Sequence, residues 1–435
     1  MKMKKIVIAA WMLTVSVSLF AQKKVQDAIN RKAEEIEQKM IEWRRHIHEN
    51  PELSNREVKT GEFIAEHLKS LGLDVQTGVA HTGVVGILKG GKPGPVVALR
   101  ADMDALPVTE RVDLPFKSTV KAQYNGIESG VMHACGHDTH VAIQMAVAEV
   151  LASVKKDLPG TVKFIFQPAE EGAPPGEEGG AKLMVKEGVL KNPDVQAVFG
   201  LHISSGLPVG TIGYKEGGIL AAADRFVIKV KGVQSHGSAP WAGVDPVFVS
   251  AQIINGLQGI ISRQTELTKE AAVISVGLIR GGVRNNIIPE EVEMIGTIRT
   301  LDVEMQDKIH ANMRRVVTNI AESMGATAEI EITKFVPVTY NNVDLTRKML
   351  PTLQRVAGSD HVMNLNASTG GEDFSFFANE VPGFFYRLGG LPATHKEGDY
   401  IPSHHTPDFY IDESGLILGV KAMANLTVDY LFMNK

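Results

Sequence analysis

Two hydrophobic periods run along this chain, and the places where one gives way to the other divide it. Apolar positions recur at helical spacing among charged residues from 25 to 49, up to Pro51. A second amphipathic stretch runs from about Glu57 to Leu71, with Gly72 as its stop. Short apolar runs follow at 83–88, Val96–Leu99, Val162–Phe166 and AVFGL, each too brief for a helix and unbroken enough for a strand buried on both faces. Helical spacing returns at 138–155 and again from about Glu413 to Leu431. Between about Arg225 and Thr333 the order is strand 225–231, helix 246–262, strand 272–279, strand 291–300, helix 303–324 and strand 327–333. That β-α-β-β-α-β order suits a ferredoxin-like sandwich. The expectation is an α/β fold with a central mixed sheet, built from 22–223 and 334–435 and interrupted by a ferredoxin-like α+β domain at 224–333.

Composition changes this picture only at the margins. At 435 residues two domains are the natural division, and 44% hydrophobic with 22% charged residues is ordinary globular content. A formal net charge of −5 offers no basic stripe and argues against nucleic acid as a partner. The first 21 residues stand apart: Lys2, Lys4 and Lys5 precede an apolar run from Ile6 to Phe20, closed by Ala21. That run is shorter than the roughly 20 residues needed to span a bilayer. It reads as a signal peptide at 1–21, hence an exported bacterial protein, periplasmic or secreted, with no stable membrane association after cleavage. The single cysteine excludes an intramolecular disulfide and leaves a thiol that is either buried or ligated.

That cysteine sits in the densest chemistry of the chain. MHACGHDTH packs His133, Cys135, His137, Asp138 and His140 into nine residues where a loop enters a helix. Gly136 removes a Cβ where the backbone must come close, and the helix start is expected to favour the thiolate. Other candidates lie at the ends of buried strands, where open α/β sheets place ligand sites. Arg100, Asp102 and Asp104 follow one strand, and the carboxylates read as groups that orient ligand histidines. Glu170 and Glu171 follow another, a pair able to divide metal binding from proton transfer. His202 ends a third, while Glu372, Asp373, His404 and His405 lie further on. His46 and His48 read as helix-end residues instead. In the inserted segment, QSHGSAP carries His236 and NNIIP carries Asn285, both suited to polar substrate contacts.

Taken in order, RRHIHENPELS, RADMDALP, MHACGHDTH, QPAEEG, GLHISSGLPVGTIG, QSHGSAP, NNIIP, GGEDF and HHTPDF resemble the aminoacylase and carboxypeptidase family of two-metal amidohydrolases. The match is nearest to its hippurate and auxin-conjugate hydrolases and covers about 40 to 430. The resemblance implies two divalent ions, zinc or manganese first and cobalt or nickel otherwise, held by Cys135, His137, Glu171, His202 and His405. His405 rather than His404 fits the pattern His-Thr-Pro-x-Phe. Glu170 is implied as general base and acid acting on a metal-activated water. The inserted segment is implied to form a homodimer and to serve as a lid, with His236 stabilising the oxyanion in the partner's site. Asn285 and Arg299 are implied contacts for a substrate carboxylate. The expected reaction is cleavage of an N-acyl amino acid. Alternatives are a dipeptidase or carboxypeptidase using the same site, and an exported binding protein without catalysis.

Overall fold

The computed structural model describes residues 20–435, so the expected signal segment at 1–21 lies almost wholly outside the described residues. The chain divides into two compact units. The first takes the described residues up to Gly217 together with Asn341–Leu365 and Phe376–Lys435. The second comprises Gly218–Tyr340 and Asn366–Ser375, wider than the expected 224–333 by a few residues at each end and by a short segment from the returning chain.

In the first unit, helical backbone from 20 to 35 turns at Ile36 into α1 (Glu37–Glu49). Next come α2 (Val58–Ser70), β1 (Asp74–Val79), β2 (Gly83–Lys89) and β3 (Lys92–Asp102). Gly72, at φ +75°, ends the second helix in a conformation that glycine adopts freely. A small hairpin, β4 (Lys121–Tyr124) and β5 (Ile127–Gly130), precedes α3 (His137–Ser153). Strands β6 (Pro159–Gln167), β7 (Ala197–Pro208) and β8 (Ile212–Tyr214) complete the N-terminal part.

The second unit supplies β9 (Ala222–Lys231), α4 (Pro246–Gln264), β10 (Ala272–Gly281), β11 (Glu291–Thr300), α5 (Val303–Ser323) and β12 (Thr327–Val336). Its sheet has the order β10-β11-β9-β12, antiparallel throughout, which is the ferredoxin-like arrangement expected. Asp245 and Asp302 cap its two helices, accepting Val247 N–H at 2.8 Å and Met305 N–H at 2.9 Å. Inward residues such as Phe226, Ile228, Ile253, Leu257 and Met313 form its core.

The chain returns to the first unit through α6 (Val343–Ala357), β13 (Val362–Asn364), β14 (Gly383–Leu391) and α7 (Leu416–Met433). The eight-stranded sheet runs β1-β2-β6-β3-β7-β14-β8-β13. It is mixed, and its central strands β6, β3, β7 and β14 are mutually parallel. Phe164, Phe166, Phe199, Phe384 and Tyr386 fill the core around them, which is why these strands read as unbroken apolar runs. The segment Glu413–Met433 is long and apolar enough to cross a membrane, yet its apolar stretch is mostly buried in this core.

Candidate metal centre

Parallel pairing decides where the chemistry gathers. Because β6, β3 and β7 run side by side in one direction, their C-terminal ends open at the same edge, with Asp102 paired to Gln167 and Arg100 to Gly200. The loop after β3 brings Asp104, and the loop after β6 brings Glu170 and Glu171. His202 lies on β7, and the turn into α3 adds Cys135 and His137. Gly136 at that turn has φ +90°, and a Cβ there would lie 2.4 Å from Ile203 Cγ2. Any other residue type would strain the left-handed backbone and push aside the Ile203 side chain next to His202.

Cys135 Sγ is the hub. It lies 3.4 Å from His202 Nε2, 3.3 Å from His405 Nε2 and 3.8 Å from His404 Nδ1. Ligand atoms of Cys135, His137 and Glu171 fall within 4.8 Å of one another, as do those of Cys135, His202 and His404. Burial, then the charge of Glu171, push the thiol well up, against the expectation that the helix start would favour the thiolate. Only a positive charge placed beside the sulfur reverses that balance.

Hydrogen bonds then sort the imidazoles. His137 Nδ1 faces Asp104 O at 2.9 Å, and His202 Nδ1 faces Ile203 O at 2.5 Å. A ring nitrogen facing a carbonyl carries a proton, so in each ring Nε2 is the nitrogen that a cation would meet, and in neutral His202 it is bare. Burial, His140 and Arg387 hold His202 well below its ordinary value, in the neutral form that binds cations. His137 is the sharper case, because its buried Nε2 has no hydrogen-bond partner. Around it lie Asp102 Oδ2 at 3.7 Å, Glu170 Oε2 at 3.9 Å and Glu171 Oε1 at 3.9 Å. Burial works against charging this ring, but Asp102 and Cys135 outweigh it and raise the imidazole well above its usual value. The pocket therefore favours positive charge at that nitrogen.

Two neighbours are consumed at both nitrogens. His140 Nδ1 faces Asp102 Oδ1 at 2.5 Å while its Nε2 accepts Ile203 N–H at 2.8 Å. His404 Nε2 accepts Ser205 N–H at 3.3 Å and its Nδ1 faces Cys135 O at 3.2 Å. Burial and Arg387 push His404 down to about 3. His405 is different: its Nε2 lies 3.1 Å from Glu171 Oε1, and Glu171 raises the ring above its ordinary value. Its backbone, at φ 64°, is left-handed, a conformation uncommon outside glycine, and is fixed by a 2.8 Å bond from its N–H to Ala134 O.

Carboxylates hold the loop that carries Glu170 and Glu171. Asp104 Oδ1 accepts Glu170 N–H and its Oδ2 accepts Glu171 N–H, each at 3.1 Å. Ser54 Oγ donates to the same carboxylate at 2.6 Å. Burial favours the neutral acid, but the hydrogen bond and charge of His137 outweigh it and keep Asp104 below its usual range. Glu57 continues the row, accepting Ala169 N–H at 2.8 Å. Three successive backbone donors are thus met by two buried side chains, which lets Ala169 hold a left-handed φ of 51°. Asp102 is tied to Arg100 Nη1 at 2.7 Å, and the Arg100, His137 and His140 charges overcome burial to hold it well below the usual carboxylate range.

The remaining candidates lie in the second unit. His236 is exposed, and its Nδ1 accepts Ser238 N–H at 3.0 Å. Asn285 is exposed in the loop before β11. Arg299, on β11, donates to Thr297 Oγ1 at 2.5 Å. Glu372 Oε1 accepts Phe374 N–H at 2.9 Å.

Residues 98–429 match the model of peptidase family M20/M25/M40. The chain belongs to that family. It is 43% identical over 406 residues to thermostable carboxypeptidase 2 of Saccharolobus solfataricus, covering 93% of this chain and 98% of that one. With N-acetylcysteine deacetylase of Bacillus subtilis the identity is 38% over 391 residues, 90% of this chain and 96% of the other. Among solved structures, a dinuclear metal-binding M20 peptidase of Bacillus subtilis superposes with a TM-score of 0.76 at 36% identity, covering 92% and 99% of the two chains. As an M20 chain with relatives named carboxypeptidase, deacetylase and amidohydrolase, it is a hydrolase acting on amides.

Several structural residues of this M20 chain escape a reading of its sequence. Glu57 is one, because an acid beside an amphipathic helix carries no mark of burial. His48 is another. It does stand in the last turn of α1, but it is also buried, its Nδ1 2.9 Å from Asp138 Oδ2 and its Nε2 3.2 Å from Glu110 Oε1. Arg44 Nε joins the same Asp138 oxygen at 2.7 Å, so α1 is locked to the turn that carries His137. The RRHIH run was the available signal, since buried Arg and His on one helix face need partners. His46 instead packs on Phe63, ring centres 4.8 Å apart.

Proposed function

We propose that this protein hydrolyses N-acyl amino acids, with Glu170 as the proton carrier and a dinuclear centre at Cys135, His137, Glu171, His202 and His405. The observation that carries the reading is the partnerless, buried Nε2 of His137, aimed at the carboxylates beside the thiol. A thiol, imidazole nitrogens and a carboxylate converging from three loops and a strand suit Zn²⁺ or Mn²⁺, and also Co²⁺ or Ni²⁺. Two such ions would polarise the amide carbonyl and bring the pKa of a water towards about 7.

The chain's own groups do the rest. Glu171 is held by the carboxylate cradle to face the ligand imidazoles. Glu170, anchored beside it through the same Asp104, takes a proton from the attacking water and hands it to the departing amine. Asp104 fixes the direction of His137 through its carbonyl, and Ile203 fixes that of His202. His236 is proposed as an oxyanion donor acting across a homodimer: with Nδ1 accepting a backbone N–H, its Nε2 carries the proton such a role needs. Asn285 and Arg299 are proposed to meet the substrate carboxylate.

Replacing Glu170 with Gln tests the assignment. Turnover of N-acetyl and N-benzoyl amino acids should fall by about 10²–10⁴-fold while the bound metal, counted by elemental analysis, stays the same. Near-native turnover in that variant would overturn the base assignment. The 43% identity to a carboxypeptidase favours a second reading, a peptidase working through the same site. Comparing acylated amino acids with dipeptides of the same C-terminal residue separates the two.

A further inference from the structure

Four consecutive residues before α2, Ser54 to Glu57, grip the loop that carries Glu170 and Glu171, and they grip it at both ends. At its start, Glu57 accepts Ala169 N–H, and Ser54 holds Asp104, whose carboxylate accepts the N–H groups of Glu170 and Glu171. At its far end, Asn55 Nδ2 donates to Glu177 Oε2 at 3.0 Å and to Glu178 O at 3.1 Å. Arg56 donates to both oxygens of Glu177, at 2.6 and 3.1 Å, and His81 Nε2 faces Glu178 O at 3.0 Å.

Backbone geometry explains why an asparagine stands at 55. It is the third residue of a turn closed by Arg56 N–H on Leu53 O at 2.8 Å, and its φ is +59°. Glycine and asparagine take that position at least cost, and of the two only asparagine brings a donor to it. Asn55 is buried, whereas the Arg56–Glu177 pair lies at the surface, where an ion pair alone holds little. Gly179 admits the amide, since a Cβ there would lie 2.8 Å from Asn55 Oδ1. Hydrogen bonds from Arg56 and Asn55 hold the Glu177 carboxyl down to about 2, so it stays an acceptor through the neutral range.

Between the two grips lies GAPPG, residues 172–176. Gly172 and Gly176 are left-handed, and a Cβ at either would meet nothing within 4 Å. At these two points the ends of the stretch, not its packing, fix its path. A segment held at one end keeps much of its conformational freedom, and holding the second end removes it. Glu171 adjoins this stretch directly and Glu170 stands one residue before it.

We propose that Asn55 is a positioning residue for Glu170: by closing the far end of the loop, its amide sets where the proton carrier and Glu171 stand, with Arg56 supporting it from the surface. The inference rests on the role proposed above for Glu170.

Asn55→Gly tests it, because glycine removes the amide and keeps the left-handed backbone. Hydrogen–deuterium exchange of a peptide covering 169–178, in the metal-free full chain, should quicken about tenfold or more. In the metal-loaded protein, kcat for an N-acetyl amino acid should fall about 10–100-fold with KM little changed, as when a group is misplaced in the transition state and binding is kept. Glu177→Ala should act the same way, and the double variant should be no slower than Asn55→Gly alone, because both open one latch. Lys186→Ala, which removes an exposed contact with Glu178 Oε2, should leave kcat and exchange unchanged. Unchanged exchange in Asn55→Gly, faster exchange with native kcat, losses that multiply in the double variant, or an equal loss in Lys186→Ala would each overturn the proposal. If wild type cleaves no N-acyl substrate, the hydrolase reading falls, and exchange together with zinc titration decides the latch by itself. Faster exchange and about tenfold weaker zinc binding in Asn55→Gly would then uphold it, and a wild-type value of either would reject it.

Discussion

Glu57 gives the most direct test of how the loop carrying Glu170 is held. Its Oε1 accepts Ala169 N–H at 2.8 Å, and its Oε2 lies 2.6 Å from Thr82 Oγ1. Burial, reinforced by the charge of Asp104, raises the carboxyl from 4.5 to about 8. The folded chain therefore keeps this proton at neutral pH while the unfolded chain releases it. Between 4.5 and 8 the unfolded state binds fewer protons than the folded one, so stability falls as pH rises through that window. Over the interval from 4.5 to pH 7, at about 1.4 kcal/mol per pH unit, the loss comes to about 3 kcal/mol. Glutamine keeps both contacts, its oxygen accepting Ala169 N–H and its amide donating to Thr82 Oγ1, and it does not titrate. Glu57→Gln should match wild type near pH 4.5 and become progressively more stable towards pH 8. Glu57→Ala instead strands the Ala169 N–H and loses about 1–3 kcal/mol at every pH, with the Glu170 loop loosened. Thermal melts of the three proteins at equal metal loading, from pH 5 to 8, measure this, because the metal contribution is common to all. Parallel curves for wild type and Glu57→Gln would refute the buried-acid reasoning. A glutamine variant as damaged as alanine would refute the hydrogen-bond account.

Two further predictions concern buried or half-buried polar side chains. His405→Ala should lose one of two bound ions by elemental analysis. His404→Ala should keep both and lower affinity by about 10–100-fold at most, because its nitrogens face backbone groups. Lys163 is buried with Nζ donating to Val189 O at 2.8 Å, Lys191 O at 2.7 Å and Pro193 O at 3.2 Å. Lys163→Met strands these carbonyls and should cost about 3 kcal/mol in a denaturant melt, while kcat changes little.

Much of the architecture is written in hydrophobic spacing. The second unit's six elements fall within three residues of their expected bounds, because each half-buried strand and each two-faced helix imposes its own period. The parallel core strands are legible for the opposite reason, being apolar on both faces. What spacing cannot supply is the extra segment at 366–375 in the second unit, or the partners of a buried charge. The ligand types were visible because they stand at strand ends. Their supports were not: Glu57, Ser54 and His48 act through contacts 25 to 112 residues away in sequence, and no local pattern marks them.

The deeper limit is that composition counts histidines, whereas the centre depends on which nitrogen each has left over. Backbone geometry makes that choice. Arg100 holds Asp102, Asp102 holds His140 Nδ1, and His140 Nε2 accepts the N–H of Ile203. The carbonyl of that same residue takes the Nδ1 proton of His202. Ile203 is thereby pinned on both sides, and the bare Nε2 of His202 is aimed at Cys135 without freedom to turn. A parallel chain runs from Ser54 through Asp104 to His137 and the Glu170–Glu171 backbone. In the proposed centre Asp102 acts as an orienting group: its carboxylate holds His140 Nδ1, and through Ile203 that contact sets the direction of His202. Sites assembled this way are rigid before any cation arrives, which is the condition under which Glu170, as proposed, can be set at a fixed distance from an attacking water.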